Sequence, residues 1–269
     1  MKHLIIAKAN FRILNKSYRF MNNVVDKKIL ILKTGNTIKG LLEKGKDFED
    51  WFVDCSGLAK NVFIIRSLHL GESLVDLSQI AAIIITGSPA FITDEETWNF
   101  IGASYIREAH GIGIPILGVC YGHQLLAWTF GGKVAFNEEG RNIGTITINL
   151  KEPARNDLLF GGLPERFNVN VSHQQSVVEL PSKAIELASS NSNNLQAFRL
   201  GETSWGVQFH PEFSKDIVRK YIEERSIKIK EEGLDPEMLA SLALNTPNSV
   251  ILFQRFCHLA KDKEGYQFS

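Results

Sequence analysis

The segment Ile80–Ile85 is apolar at every position, and it ends directly in the turn residues 86–89. A strand that is apolar on both faces is typical of a parallel sheet covered by helices on each side. Similar apolar runs occur at Lys28–Lys33, 61–66 and 114–119, and helices are predicted at 47–58 and 94–110. The order β-α-β-β-α-β-α predicts an α/β fold with an open, doubly wound, mainly parallel, flavodoxin-like sheet. Ligands of such sheets bind beyond the carboxyl ends of the strands.

From residue 131 onward the pattern changes to short strands separated by turn residues, which is typical of hairpins and antiparallel pairs. These strands are predicted at Lys133–Phe136, 144–150, 167–171, 184–188, 195–199 and 205–209. Residues 214–229 are predicted to be helical, and one or two further helices are predicted over 236–260, interrupted at 245–247. We therefore expect a basic N-terminal arm over 1–26, a compact domain over 27–225 and a helical C-terminal extension over 226–269 packed on it.

The chain has 269 residues, with 30 basic and 30 acidic side chains and a formal net charge of zero. This balance gives no field that would attract nucleic acid or a membrane surface. No apolar run approaches the roughly 18 residues that a membrane-spanning helix needs. The cysteines Cys55, Cys120 and Cys257 are scattered without a CxxC pair. That pattern favours a reducing, cytoplasmic compartment and predicts neither disulfides nor a zinc site, and we expect no metal and no cofactor.

The first 25 residues contain five Lys or Arg residues and no acid before Asp26. An organelle transit peptide has this basic, acid-poor composition. An extra strand or a loose solvated arm is the simpler interpretation.

A cysteine follows a predicted strand and precedes a predicted helix, in the pattern Gly118-x-Cys120-x-Gly122. This is the spacing of a nucleophile elbow, with Cys in the place of Ser. A nucleophile in a strained turn needs neighbours without a Cβ two residues before and two after it. The helix N-terminus would favour the reactive thiolate, and the N–H of Tyr121 would point at the oxygen of an attacked carbonyl. Alternatively, Cys120 is simply a small buried residue at a strand end.

The tripeptide His210-Pro211-Glu212 directly follows the last predicted strand. Proline restricts the residue before it to extended geometry, and residues two apart in an extended segment point to the same side. Glu212 can therefore hold the imidazole of His210 in the tautomer that takes a proton from a thiol, which is the logic of a catalytic triad. Alone, such a tripeptide would more often be a solvated turn.

Three sequence blocks together resemble the class I (triad) glutamine amidotransferases, and most nearly the glutaminase domain of GMP synthetase. The blocks are TGSP at 86–89, GVCYGHQ at 118–124 and QFHPEF at 208–213. They follow the family's order, and the similarity extends over about residues 28–225. The resemblance implies that Cys120 attacks a γ-glutamyl amide to form a thioester. His210 would protonate the departing ammonia and then activate water, and Glu212 would orient His210.

The resemblance also implies roles for residues around the nucleophile. Gly87 would supply the second oxyanion N–H beside that of Tyr121, and Gln124 would help to hold the glutamine. Ser172 and His173 match the block whose backbone grips the amino-acid end of the substrate. For His173, a purely structural role at a strand end is an equal alternative.

Two positions depart from the family's pattern. Gln175 and Asn142 stand where family members often carry an acid. Two missing carboxylates would weaken the binding of free glutamine through its ammonium group, if both positions lie in the pocket. In addition, nothing after residue 213 resembles the ATP pyrophosphatase domain of GMP synthetase. These departures put the substrate in question, while the triad residues are complete.

Three functional hypotheses follow for the chain, and all concern a small γ-glutamyl substrate. The first is a glutaminase that delivers ammonia to a separate synthetase subunit. The second is a free-standing hydrolase of γ-glutamyl peptides. The third is a catalytically idle regulatory module, which the complete Cys-His-Glu set disfavours.

Overall fold

The computed structural model describes residues 27–191 and 194–262, with side chains as far as residue 260. The predicted basic arm over 1–26 lies outside the described residues, as do residues 263–269. The strands are β1 Lys28–Lys33, β2 Phe63–Ser67, β3 Ile80–Ile85, β4 Ile116–Val119, β5 Lys133–Phe136, β6 Asn142–Leu150, β7 Arg166–His173, β8 Gln175–Glu179, β9 Ala184–Ser190, β10 Leu195–Leu200 and β11 Ser204–Val207. The α-helices are α1 Lys39–Leu42, α2 Phe48–Ser56, α3 Thr97–Gly111, α4 Tyr121–Thr129, α5 Lys215–Glu224, α6 Ser226–Glu231, α7 Pro236–Ser241 and α8 Pro247–Asp262.

A nine-stranded sheet in the order β2-β1-β3-β4-β11-β10-β9-β6-β7 forms the centre of the molecule. Strands β2, β1, β3, β4 and β11 are parallel to one another. From β11 to β7 the pairing is antiparallel. The predicted fold class is therefore confirmed: a doubly wound parallel sheet carries added antiparallel strands and a helical C-terminal region.

Alternating side chains of the parallel strands enter two separate hydrophobic cores. Ile29, Ile31 and Ile84 face one side, where they belong to the core of helices α2, α5 and α8. On the other side, Leu30 and Ile85 belong to the core that contains the buried residues of α3 and α4. Because successive strand residues point to opposite faces, burial on both faces explains why these strands are apolar throughout.

Three details differ from the sequence-based predictions. Helix α3 begins at Thr97, with Glu96 as its N-cap, and not at Asp94, because Glu95 has a left-handed backbone with φ of 49° that the helix cannot include. Strand β8 was not predicted, and it pairs with β5 in a small two-stranded sheet. The helix predicted over 214–229 is interrupted at Arg225, whose φ of −100° and ψ of 8° separate α5 from α6.

No helix in the described part of the chain is long and apolar enough to cross a membrane. The parallel strands β1, β3, β4 and β11 all end at one edge of the sheet, since parallel neighbours run in the same direction. The turns that contain Gly87, Cys120 and His210 follow three of these strands. The fold thus gathers the candidate residues at the carboxyl edge, where ligands of such sheets bind.

Candidate active site

Cys120 occupies a strained turn between β4 and α4, with φ of 53° and ψ of −101°. Among the described residues other than glycine, it shares a positive φ only with Glu95. A Cβ on Gly118 would lie 2.3 Å from the carbonyl oxygen of Gly122, and a Cβ on Gly122 would lie 2.3 Å from that of Ile85. Both glycines are therefore required by close backbone approach, and the turn has the geometry of a nucleophile elbow.

The imidazole of His210 lies in a closed slot beside Glu212. Its Nδ1 is 2.7 Å from Glu212 Oε1, and the two residues are only 2% and 4% exposed. The ring of Phe213 stacks on the imidazole with centroids 3.9 Å apart. On a further side, a Cβ on Gly87 would come within 2.8 Å of His210 Cε1. The packing and the carboxylate together fix the ring, with Nε2 as the nitrogen left for chemistry.

His210 and Cys120 border the same cavity and interact electrostatically. Burial lowers the pKa of His210, but the charge and hydrogen-bond interactions with Glu212 and Cys120 together outweigh it and raise the pKa to about 10. His210 therefore carries a proton at neutral pH. A protonated imidazole beside a sulfur atom is the arrangement in which a cysteine acts as a thiolate.

Two main-chain N–H groups near the sulfur have no partner among the described residues, those of Tyr121 and Gly87. Tyr121 begins helix α4, so its N–H is one of the free donors of the helix N-terminus. The carbonyl oxygen of Thr86 accepts hydrogen bonds from Thr34 Oγ1 at 2.9 Å and from the N–H of Gly122 at 3.1 Å. Because the carbonyl and the N–H of a trans peptide point in opposite directions, these bonds fix the direction of the Gly87 N–H.

The cleft at Cys120 has two sides. The imidazole side is bordered by His210, Phe48, Thr37 and Tyr221. The arginine side is bordered by Tyr121, Gln124, Arg141, His173 and Gln175. Cys120, Ser172 and Arg225 border both sides, together with Ser88 and Pro89.

Two of the predicted substrate residues are already engaged with protein atoms. The side-chain amide of Gln124 donates to the carbonyl of Gln175 at 2.7 Å and to Gln208 Oε1 at 3.1 Å. The hydroxyl of Ser172 accepts from Arg225 at 2.8 Å, and the carbonyl oxygen of Ser172 lies 3.9 Å from Cys120 Sγ. Gln124 thus supports the wall of the cleft, and Ser172 presents its main chain next to the sulfur.

His173 is buried, and its Nδ1 lies 2.9 Å from the carbonyl oxygen of Gln175. Burial is the main cause that lowers its pKa, to about 4. His173 is therefore neutral at physiological pH. Its Nε2 has no partner among the described residues, so it can still bond to a ligand on the arginine side.

Only one of the two positions that lack the family's acid borders the cleft. Gln175 does, but its amide accepts from the N–H of Ile92 at 3.1 Å and donates to Thr93 Oγ1 at 2.7 Å. Asn142, the first residue of β6, follows Arg141 directly. It borders a different depression, together with Ile146 and Thr147 of the same strand. Arg141, directly before β6, therefore borders the cleft, and Asn142 does not.

The sequence did not single out Arg141 or Arg225 as site residues. Neither lies in a recognisable motif, and Arg225 stands among other charged residues of a predicted amphipathic helix, where an arginine is usually solvated. The position of Arg225 depends on the interruption between α5 and α6, for which the sequence shows no glycine or proline.

Comparison with protein families and sequences agrees with these motifs. A model of the family described as glutamine amidotransferase class-I matches residues 56–229. The chain is 37% identical over 146 residues to a GMP synthase (glutamine-hydrolyzing) of Staphylococcus saprophyticus, which covers 52% of this chain and 26% of that protein. It is 27% identical over 186 residues to gamma-glutamyl peptidase 3 of Arabidopsis thaliana, which covers 68% of this chain and 74% of that protein. The chain thus spans about a quarter of the GMP synthases it matches.

Two solved structures have a similar fold. A glutamine amidotransferase from Thermotoga maritima has a TM-score of 0.66 at 21% identity and covers 89% of this chain and 99% of its own. A glutamine amidotransferase from Methylobacillus flagellatus has a TM-score of 0.65 at 21% identity and covers 90% of this chain and 96% of its own. At these identities the structural likeness shows the fold.

Proposed function

This chain belongs to the class I glutamine amidotransferases, and we propose that it is a cysteine-dependent hydrolase that releases ammonia from the γ-amide of glutamine or a similar amide. One observation carries the proposal. Cys120 stands in a strained elbow in the same cleft as the buried pair of His210 and Glu212. A nucleophile, its proton carrier and an orienting carboxylate are the parts that acyl transfer requires.

In the first half-reaction, the Cys120 thiolate attacks the amide carbon. A sulfur–carbon bond forms, and the π electrons of the carbonyl move to its oxygen. The N–H groups of Tyr121 and Gly87 donate to this oxyanion. When the oxyanion collapses, the carbon–nitrogen bond breaks and His210 gives its Nε2 proton to the nitrogen. Ammonia leaves, and a thioester on Cys120 remains.

In the second half-reaction, a water molecule attacks the thioester carbon while His210, now neutral, takes a proton from it. The second oxyanion collapses with cleavage of the carbon–sulfur bond. The free acid leaves, and the thiolate and the protonated imidazole are restored. Glu212 stays ionised throughout and stabilises the charged imidazole.

The named relatives suggest two candidate substrates, which differ in the amine that leaves. The matched GMP synthases are named as glutamine-hydrolyzing, which supports glutamine as substrate and a separate synthetase subunit as the consumer of ammonia. A second candidate is hydrolysis of γ-glutamyl peptides. It is favoured because the match to gamma-glutamyl peptidase 3 covers 74% of that protein. The same thioester chemistry serves both, since only the leaving amine differs.

The proposal is tested with Cys120→Ala and a matched control, Cys55→Ala. Cys55 lies outside the cleft on α2, and burial raises the pKa of its thiol far above the ordinary value. Release of ammonia or of the free acid is measured for glutamine, related amides and γ-glutamyl dipeptides. Cys120→Ala should abolish turnover of every substrate, while Cys55→Ala should keep the wild-type rate. Wild-type turnover by Cys120→Ala would remove Cys120 from the mechanism, and an inactive wild-type chain would favour the regulatory module.

A further inference from the structure

Arg225 stands at the interruption between α5 and α6 and borders both sides of the cleft. Its guanidinium lies over the ring of Tyr221, 4.6 Å from the centroid. Its only hydrogen bond to a described side chain is the 2.8 Å bond to Ser172 Oγ. No described carboxylate lies within ion-pair distance of it, although it borders both sides of the cleft at Cys120. A guanidinium has five N–H donors, so Arg225 retains several for a ligand.

A second guanidinium borders the arginine side, that of Arg141. Its side chain is only 7% exposed and forms two bonds of 3.0 and 3.1 Å with the carboxylate of Glu232. Burial is the main cause that lowers the pKa of Arg225, and the nearby positive charge of Arg141 lowers it further. An anion bound here would relieve the repulsion between the two arginines.

No described Asp or Glu side chain borders the arginine side, so a positive group would find no carboxylate there. Apart from the reacting Cys120, the charged side chains that border it are those of Arg141 and Arg225, and the neutral His173 adds no negative charge. The carboxylate of Glu212 is bonded to His210 and does not border the arginine side. The α-ammonium of glutamine would therefore lose its water beside two guanidinium groups, whereas a carboxylate would gain charge-assisted hydrogen bonds.

The position of His210 determines which part of the substrate lies next to the positively charged Arg225. The imidazole must reach the departing nitrogen, so the leaving group lies on the imidazole side. His210 does not border the arginine side. The acyl group of the substrate must then extend into the arginine side, where it would meet Arg225.

We propose that the arginine side selects amides whose acyl part ends in a carboxylate and carries no free ammonium group, with Arg225 as the specificity-determining residue. This inference rests on the proposed function. Two chemistries meet the requirement: an ω-amide of a dicarboxylic acid that lacks an α-amine, and a glutamine whose α-amine is acylated. Hydrolysis breaks the carbon–nitrogen bond with one water and gives ammonia and a dicarboxylate.

Turnover of three amides by the full chain provides the test: glutamine, glutaramate, which is glutamine without its amine, and N-acetylglutamine. We expect kcat/KM for at least one of the last two to exceed that for glutamine by tenfold or more. Arg225→Met should raise KM for the preferred amide roughly tenfold or more, because a charged hydrogen-bond partner is lost. It should change kcat less, and Arg225→Lys should restore part of the loss.

The matched control is Arg219→Met, which removes an exposed arginine six residues earlier, on α5, that donates to the carbonyl of Ala240. It should leave all three substrates unchanged. A preference for glutamine, or an unchanged KM in Arg225→Met, would overturn the proposal. The relative rates of glutaramate and N-acetylglutamine hydrolysis show whether the preferred substrate lacks the α-amine or has it acylated.

A second measurement does not depend on turnover and separates this inference from the proposed function. The alkylation rate of Cys120 is measured by mass spectrometry with the anion iodoacetate and with neutral iodoacetamide. The ratio of the two rates should fall roughly tenfold in Arg225→Met, and it should not change in Arg219→Met. If the chain hydrolyses no amide, the proposed function fails, and this ratio still decides whether Arg225 attracts an anion to the cleft. An unchanged ratio rejects that role.

Discussion

The imidazole side and the arginine side of the cleft are supplied by the chain in different ways. On the imidazole side, Cys120, His210 and Glu212 lie in two short segments that directly follow β4 and β11. On the arginine side, Arg141 precedes β6 and Arg225 interrupts a helix, with no motif around either. Side chains that take part in breaking a bond must be positioned to within less than about one ångström, and the local backbone geometry of these segments provides that precision. Selection of the acyl group needs only charge at the right distance, and tertiary packing provides it.

The largest effect should come from breaking the elbow that anchors the imidazole side. In Gly122→Ala the new Cβ would meet the backbone of Ile85 at 2.3 Å, and backbone cannot yield as a flexible side chain can. We expect a loss of about 1–3 kcal/mol or more in the free energy of unfolding, together with loss of turnover. Urea unfolding and ammonia release measure the two effects.

The control for this substitution is Gly111→Ala at the end of α3, where a Cβ meets nothing within 4 Å. Its stability should stay the same or rise by up to about 1 kcal/mol, because alanine is the better helix former. Equal stability of the two variants would show that Gly122 is not held by close backbone approach.

A smaller effect is expected from Glu212→Gln, which tests the charge balance of the imidazole side. In the wild type, His210 keeps its proton up to about pH 10, so the high-pH limb of kcat/KM should lie near that value. Without the carboxylate, burial acts against the proton and the pKa of His210 falls. The limb should move at least about one pH unit lower, so kcat/KM at pH 10 should fall roughly fivefold or more.

The same pair has a consequence for stability with a defined sign. Since the pKa of His210 is raised from 6.5 to about 10 on folding, the stabilisation is complete below pH 6.5 and is lost as the pH rises through about 10. Exposed Glu165→Gln is the control and should keep both profiles. A high-pH limb that does not move in Glu212→Gln would exclude Glu212 as the source of the raised pKa.

The smallest effects concern the two positions that lack the family's acid. Gln175→Asp introduces a carboxylate on the arginine side, so kcat/KM for glutamine relative to glutaramate should rise several-fold, up to roughly tenfold. Asn142→Glu should change this ratio by less than about twofold, because Asn142 borders a different depression and exposed charges interact weakly. Equal effects of the two substitutions would contradict the assignment of the arginine side.

Much of the fold followed from local sequence signals. Runs such as Ile80–Ile85 are buried on both faces, and only a parallel sheet covered by helices explains that pattern. The start of α3 did not follow, because the loop before it is held by Gln175, which bonds to Ile92 and Thr93 from a distant strand. Such long-range bonds override the preference of acids for a helix N-terminus.

The site residues also fall into two groups, those that local sequence signals indicate and those that depend on long-range packing. The glycines around Cys120 and the proline after His210 restrict the backbone locally, so the sequence could indicate which side chains would converge. The roles of Cys120, His210 and Glu212 stay predictions until variants are assayed. Arg225 could not be found, because its place depends on the interruption after α5 and on the hydrogen bond to Ser172, which lies on the distant strand β7.

The hydrogen bonds from Thr34 and Gly122 to the carbonyl of Thr86 bear on control of the enzyme. They fix the direction of the Gly87 amide in the structure without substrate. If Gly87 donates to the oxyanion as proposed, the mechanism needs no main-chain flip as an activating signal. Under the proposed mechanism, restraint against wasteful hydrolysis of cellular glutamine falls to recognition of the acyl group rather than to a switch in the machinery.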